Sequence, residues 1–117
     1  MKSIKKTVTT AQLNTGAAQK ITIYIPSNEN GLEEYPNEVL FVNNTTTDIE
    51  VLYIQTDEED TLRTNNPQFF DFIPLDSGRG TGLVPHLCKY LYVRRKSGSA
   101  AATVDLDFYL LSYIPRY

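Results

Sequence analysis

Apolar side chains recur at every second position along much of this chain, the spacing that buries one face of a β-strand and leaves the other to solvent. Ile21, Ile23 and Ile25 alternate with Thr22 and Tyr24 before Pro26 ends the run. In a later segment Ile49, Val51 and Tyr53 fall on one face and Glu50, Leu52 and Ile54 on the other. Residues 39–42 are apolar throughout. Both segments therefore carry apolar groups on two faces, which suits a central strand or one covered by another element. Only the short polar stretch from Asn43 to Thr47 separates them, and it predicts a β-hairpin. In the last run Val104, Leu106, Phe108 and Leu110 face inward against Asp105, Asp107 and Tyr109, the clearest two-sided strand in the chain.

Between these runs, residues 69–73 have strand character up to Pro74, which marks an edge or an end. Leu87, Leu91 and Val93 share a face, interrupted by Lys89, with Cys88, Tyr90, Tyr92 and Arg94 on the other. Turn-forming residues fill residues 27–37, 56–67 and 76–82, and the Lys96-Ser97-Gly98-Ser99 stretch reads as a hairpin turn. No helical periodicity stands out. The pattern gives six strands and a further candidate between Ile4 and Thr10, about seven in all. Short strands at this spacing predict an all-β, single-domain β-sandwich of jelly-roll or immunoglobulin-like kind. A polar arm is expected over residues 1–15 and the sandwich over residues 16–117.

Composition narrows the function. A chain of 117 residues supports one hydrophobic core. Its net charge of −3 lacks the basic footprint of nucleic-acid binding, and the Arg94-Arg95-Lys96 tract is too short to supply one. Cys88 is the only cysteine, so an intrachain disulfide is excluded and a reducing compartment is expected. Lys2, Lys5 and Lys6 are not followed by an apolar stretch, so no secretory signal is expected. No run approaches the ~20 apolar residues of a membrane-spanning helix.

Catalytic groups are scarce. His86 is the only histidine and lies two residues from Cys88, so a strand would aim both side chains the same way. The commoner reading is a solvated histidine after Pro85 and a packed thiol, and two ligands fall short of a four-coordinate zinc site. The Asp57-Glu58-Glu59-Asp60 run lacks the alternating acids, glycine and terminal glutamate of a calcium loop, so it reads as solvated or as a contact for a basic partner surface. Asp105 and Asp107 read as an outward polar face, because glycosidase carboxylates oppose one another across a cleft. The Gly78-Arg79-Gly80-Thr81-Gly82 turn has neither the lysine nor the following helix of a phosphate loop, and reads as a mobile turn that orders against a neighbour. Tyr90 and Tyr92 offer a stacking platform, but neither tryptophan nor a basic groove accompanies them. No catalytic residue, cofactor or metal is expected.

The order of features is a polar arm and a strand, an N-N-T-T turn between apolar strands, an FFDFIPLDSGRGTG segment and an LYVRRKSGSAAATVDLDFYLL close. Over roughly residues 37–113 this resembles the small β-sandwich structural proteins of tailed bacteriophage virions: capsid decoration or auxiliary proteins, head-fibre bases and tail adaptors. The resemblance implies a non-enzymatic virion protein assembled in the host cytoplasm, most directly a capsid decoration protein bracing the head. A tail, neck or fibre component is the alternative, and a carbohydrate-binding surface module is a third reading. The expected partners are other virion proteins, such as the major capsid protein or tail and neck proteins, together with further copies of the chain. Neither nucleic acid nor membrane is expected as a partner. The candidate contact residues are Lys5 and Lys6 of the arm, Asp57, Glu58, Glu59 and Asp60 of the acidic run, Arg79, Tyr90 and Tyr92.

Overall fold

The computed structural model describes residues 2–23, 25–26, 33–34, 38–69, 71–79 and 89–112. In chain order the strands are β1 (Lys2–Val8), β2 (Gln19–Thr22), β3 (Ile25–Pro26), β4 (Glu33–Glu34), β5 (Glu38–Phe41), β6 (Ile49–Ile54), β7 (Ile73–Leu75), β8 (Tyr90–Arg95) and β9 (Leu106–Ser112). Helix α1 (Thr10–Asn14) follows β1, and α2 (Asp57–Asn65) follows β6, with a 3-10 turn at Pro67–Phe69. The chain is mostly β, with two principal antiparallel sheets: β1-β9-β5, and β2-β8-β6-β7. The short β3 and β4 pair with each other.

The two-residue period sorts side chains as the sequence predicts. Val8, Leu106 and Phe108 of the first sheet join Ile49, Val51, Leu75, Leu91 and Val93 of the second in one buried cluster, completed by Leu13, Ile23 and Ala102. Leu52, Ile54 and Tyr92, on the opposite face of the four-stranded sheet, form a second cluster with Phe72 and Tyr90 at its margin. β6 is therefore both central in its sheet and apolar on two faces, and α2 lies over it. Pro74 sits in β7 at the sheet's edge, where a missing N–H donor costs nothing.

Several expectations are corrected. The predicted hairpin across Asn43–Thr47 is a crossover: β5 pairs with β9 in one sheet, while β6 pairs with β7 and β8 in the other. The cause is the chemistry of the connector. Asn43, Thr45 and Thr47 are buried, and a buried polar side chain must find partners. The Asn43 amide donates to the carbonyls of Thr47 (2.7 Å) and Leu75 (3.0 Å). Its Oδ1 accepts from the Thr45 hydroxyl (2.6 Å) and the Thr45 N–H (3.1 Å). Thr47 donates to the carbonyl of Ala100. The connector thus ties together the chain ends leaving β7 and β8 instead of folding back on itself. The Lys96–Ser99 turn forms, with Gly98 at φ 83° and the Ser99 N–H on the Lys96 carbonyl (3.1 Å). It too leads from one sheet to the other, not into a hairpin.

The acidic stretch read as part of a loop is α2. Thr56 caps it by accepting from the Glu59 N–H (3.1 Å), Glu59 reaches back to the Gln55 N–H (3.2 Å), and four acids in the first turn complement the positive end of the helix dipole. The stretch read as a polar arm carries β1, which accounts for the candidate strand between Ile4 and Thr10 and is hydrogen-bonded along β9, and then α1. α1 starts on a full capping box: Thr9 accepts from the Gln12 N–H, and Gln12 accepts from the Thr9 N–H. The predicted strand over residues 21–25 is divided between β2 and β3, with Tyr24 outside the described residues. Val104, expected inward, is 45% exposed ahead of β9, whereas Leu106 and Phe108 are fully buried.

Candidate functional site

The structure gathers four of the nine expected contact residues into one network, where α2 crosses the outer face of the four-stranded sheet. Asp57, in the helix's first turn, accepts from the Tyr90 hydroxyl through Oδ1 and from Lys89 Nζ through Oδ2 (2.8 Å). Three residues on, in the same turn, Asp60 accepts from the Tyr92 hydroxyl and from Lys20 Nζ (2.6 Å). Lys20 Nζ also stands 4.0 Å above the Tyr90 ring, a cation–π contact. Beside them Arg94 lies 3.8 Å over the Phe72 ring and donates to Glu50 (2.8 Å).

These contacts leave their mark on the proton equilibria. The hydrogen bond from Lys89, then that from Tyr90, holds the Asp57 carboxyl below the usual aspartate range. The bond to Asp57 raises the Tyr90 phenol, and burial first, then Asp60, raises that of Tyr92. Lys20 is raised by its hydrogen bond to Asp60. The groups named here serve one another and together attach the helix to the sheet. Tyr92 is only 8% exposed and one face of Tyr90 is taken by Lys20, so the pair does not present a bare stacking platform.

The outer face of the three-stranded sheet is different. The register sets Thr7 opposite Asp107 and Lys5 opposite Tyr109, on the side away from Phe108. Thr7 donates to Asp107 (2.7 Å). Asn44 latches the start of β9, donating to the Asp105 carbonyl (3.0 Å) and accepting from the Asp107 N–H (3.1 Å). Around these groups Val42 and Tyr109 are 42% and 40% exposed, and with Asn44 and Asp107 they line a shallow pocket of about 210 Å³.

The remaining expected residues are dispersed. Lys5 is exposed on that outer face, and Lys6 sits opposite Phe108 in the register, half-buried. Glu58 is exposed, whereas Glu59 turns back to cap its helix and to pair with Arg63 (3.2 Å). Arg79 is exposed, and its carbonyl accepts from the Asn43 N–H (2.8 Å). Asp105 accepts from the Thr10 N–H (2.7 Å) and hydroxyl (2.8 Å), the N–H foremost in depressing its pKa, so Asp105 and Asp107 each brace the first segment of the chain. His86, Cys88 and the Gly80-Thr81-Gly82 part of the glycine turn lie outside the described residues. Among the described residues no group of three or more His, Cys, Asp or Glu is placed to hold a metal ion, and no helix is long and apolar enough to cross a membrane.

Sequence reasoning missed Lys20, Lys89, Val42 and Tyr109. A signal existed for the two lysines, since an acidic run near alternating tyrosines and lysines invites pairing. None existed for Val42 and Tyr109, whose exposure depends on which sheet receives a covering helix. No protein-family model, curated protein or solved structure matches the chain.

Proposed function

We propose that this chain is a non-enzymatic structural protein of a tailed-phage virion, a decoration or auxiliary protein that braces the capsid through protein–protein contacts. On this reading the three-stranded and four-stranded sheets are the halves of a seven-stranded sandwich of jelly-roll or immunoglobulin-like kind, supported by the buried cluster to which both contribute.

The observation that carries the proposal is the unequal treatment of the two outer faces. The four-stranded sheet is roofed by the chain's own helix, with its tyrosines and acids joined to one another. At the three-stranded sheet Tyr109 of β9 and Val42, just past β5, are open within a rim of Lys5, Asn44 and Asp107. An apolar and tyrosine centre with a polar rim is the anatomy of a protein contact. The order of segments in the sequence supplies the virion context.

The test is heat resistance of capsids. Particles lacking the protein should lose their contents at lower temperature, added wild-type protein should restore them, and a Val42→Ser/Tyr109→Ser variant should not. Unchanged heat resistance without the protein would overturn the proposal. Copy number gives a second readout: on the order of hundreds per particle accords with a lattice, and a single ring's worth moves the protein to the tail axis.

A further inference from the structure

A second surface, remote in character from the apolar face, is built at the end of β8. A cleft of about 420 Å³ is lined by Gly16, Glu50, Arg94, Arg95, Lys96, Ser97 and Gly98. Three cations stand there against one acid. The Glu50 carboxylate accepts from Arg94 (2.8 Å), and the adjacent Asp48 carboxylate accepts from the Ser77 N–H (3.0 Å), so neither acid serves Arg95 or Lys96. Among the described residues no hydrogen bond or ion pair engages the side chain of Arg95 or Lys96, and both are half-buried, where a charge is less screened than on open surface.

The cleft is held by its backbone. The Lys96 N–H donates to the Asp48 carbonyl (2.9 Å), and the Ser99 N–H closes the turn on the Lys96 carbonyl. Gly16 ends α1 in the left-handed region, at φ 74°, with its N–H on the Leu13 carbonyl (3.1 Å). A Cβ at Gly16 or Gly98 would meet nothing within 4 Å, so packing does not require glycine there and the space beside both is open to a ligand.

We infer that this cleft binds an acidic peptide segment, with Arg95 and Lys96 pairing its carboxylates and the Ser97 hydroxyl donating beside them. Among the lining side chains a surplus of two positive charges calls for an oxyanion ligand, and about 420 Å³ exceeds what one small ion fills. A nucleic-acid strand fits less well, because the chain as a whole carries −3. The inference rests on the protein-contact reading only in taking the acidic segment to belong to a partner protein.

The test is an NMR titration of the 15N-labelled full chain with tetraglutamate, with inorganic phosphate and with a short oligothymidylate as separate arms. Tetraglutamate should shift the Gly16 amide and those of residues 95–98 saturably, and added salt should weaken the effect. Arg95→Gln/Lys96→Gln should weaken binding at least about tenfold, with the Leu91 and Phe108 amides unmoved as the sign of an intact fold. Lys96→Gln alone serves if the double variant loses its fold. Absence of shifts with tetraglutamate would overturn the inference, as would tighter binding of phosphate or oligothymidylate. Neither result bears on Val42 and Tyr109, whose role the capsid assay decides separately.

Discussion

The Tyr92 hydroxyl, on β8, donates to the Asp60 carboxylate in the first turn of α2, so the strand face that the sequence offers as a stacking platform and contact surface is roofed by the chain's own acidic helix. α2 itself contributes no buried residue, and its attachment therefore leans on such polar bonds. Tyr92→Phe keeps the ring in the second cluster and removes the bond, at an expected cost of about 1–2 kcal/mol. In a double-mutant cycle with Asp60→Ala the coupling should be about 1 kcal/mol by urea denaturation. Hydrogen exchange should quicken in α2 before it does in β8. Additive single effects would show that the helix is held by something else.

The same junction fixes a pH dependence. Asp57 and Asp105 have depressed pKa values in the fold, so their contributions are complete above the carboxylate range of the unfolded chain and are lost as pH falls through the folded values. Tyr90, Tyr92 and Lys20 are raised, so theirs are complete below the unfolded tyrosine and lysine range and are lost as pH climbs through the folded values. Stability should therefore fall off at both ends. Carboxyl 13C titration checks the acid side, with Asp57 and Asp105 expected below a free aspartate. An Asp57 midpoint at or above that of a free aspartate would mean that the Lys89 and Tyr90 bonds do not persist in solution.

Asn43 carries the crossover between the sheets. Asn43→Ala removes an amide that donates to the Thr47 and Leu75 carbonyls and accepts from the Thr45 hydroxyl and N–H in a fully buried site. The expected loss is about 3 kcal/mol, read as a lower urea midpoint. A loss below about 0.5 kcal/mol, the level of an ordinary surface change, would show that the connector does not organise the junction.

How much of this was legible follows from which signals are local. Alternation correctly assigned the faces of β6 and the inward Leu106 and Phe108, because burial on a pleated strand needs nothing beyond neighbouring residues. Both helices were announced by capping patterns, Thr9 with Gln12 and Thr56 with Glu59, yet a search for apolar periodicity passes over them. α2 has Leu62 as its one large apolar residue, and that residue is 58% exposed. Strand pairing was least legible. A short polar connector predicts a hairpin only if its side chains reach water, and Asn43, Thr45 and Thr47 instead bury themselves against residues 30 to 55 positions away as well as against one another. The sites divided the same way: the acids and tyrosines stood out by composition, while the exposure of Val42 and Tyr109 is a consequence of tertiary arrangement.

Phe108 and Tyr109 are neighbours in β9 on opposite faces, and their contrast tests the assignment of the outer face. Phe108 is fully buried against residues of both sheets, so Phe108→Ala should cost about 3–5 kcal/mol through lost burial and the cavity left behind. Tyr109 is 40% exposed, and Tyr109→Ala should change stability by no more than about 0.5 kcal/mol, like other exposed positions. Thermal melts of the isolated chain measure both. If Tyr109→Ala destabilised the isolated chain as Phe108→Ala does, the ring would already be buried without a partner. The three-stranded sheet would then have no free face to offer a capsid, and the proposed contact would have to be sought elsewhere on the molecule.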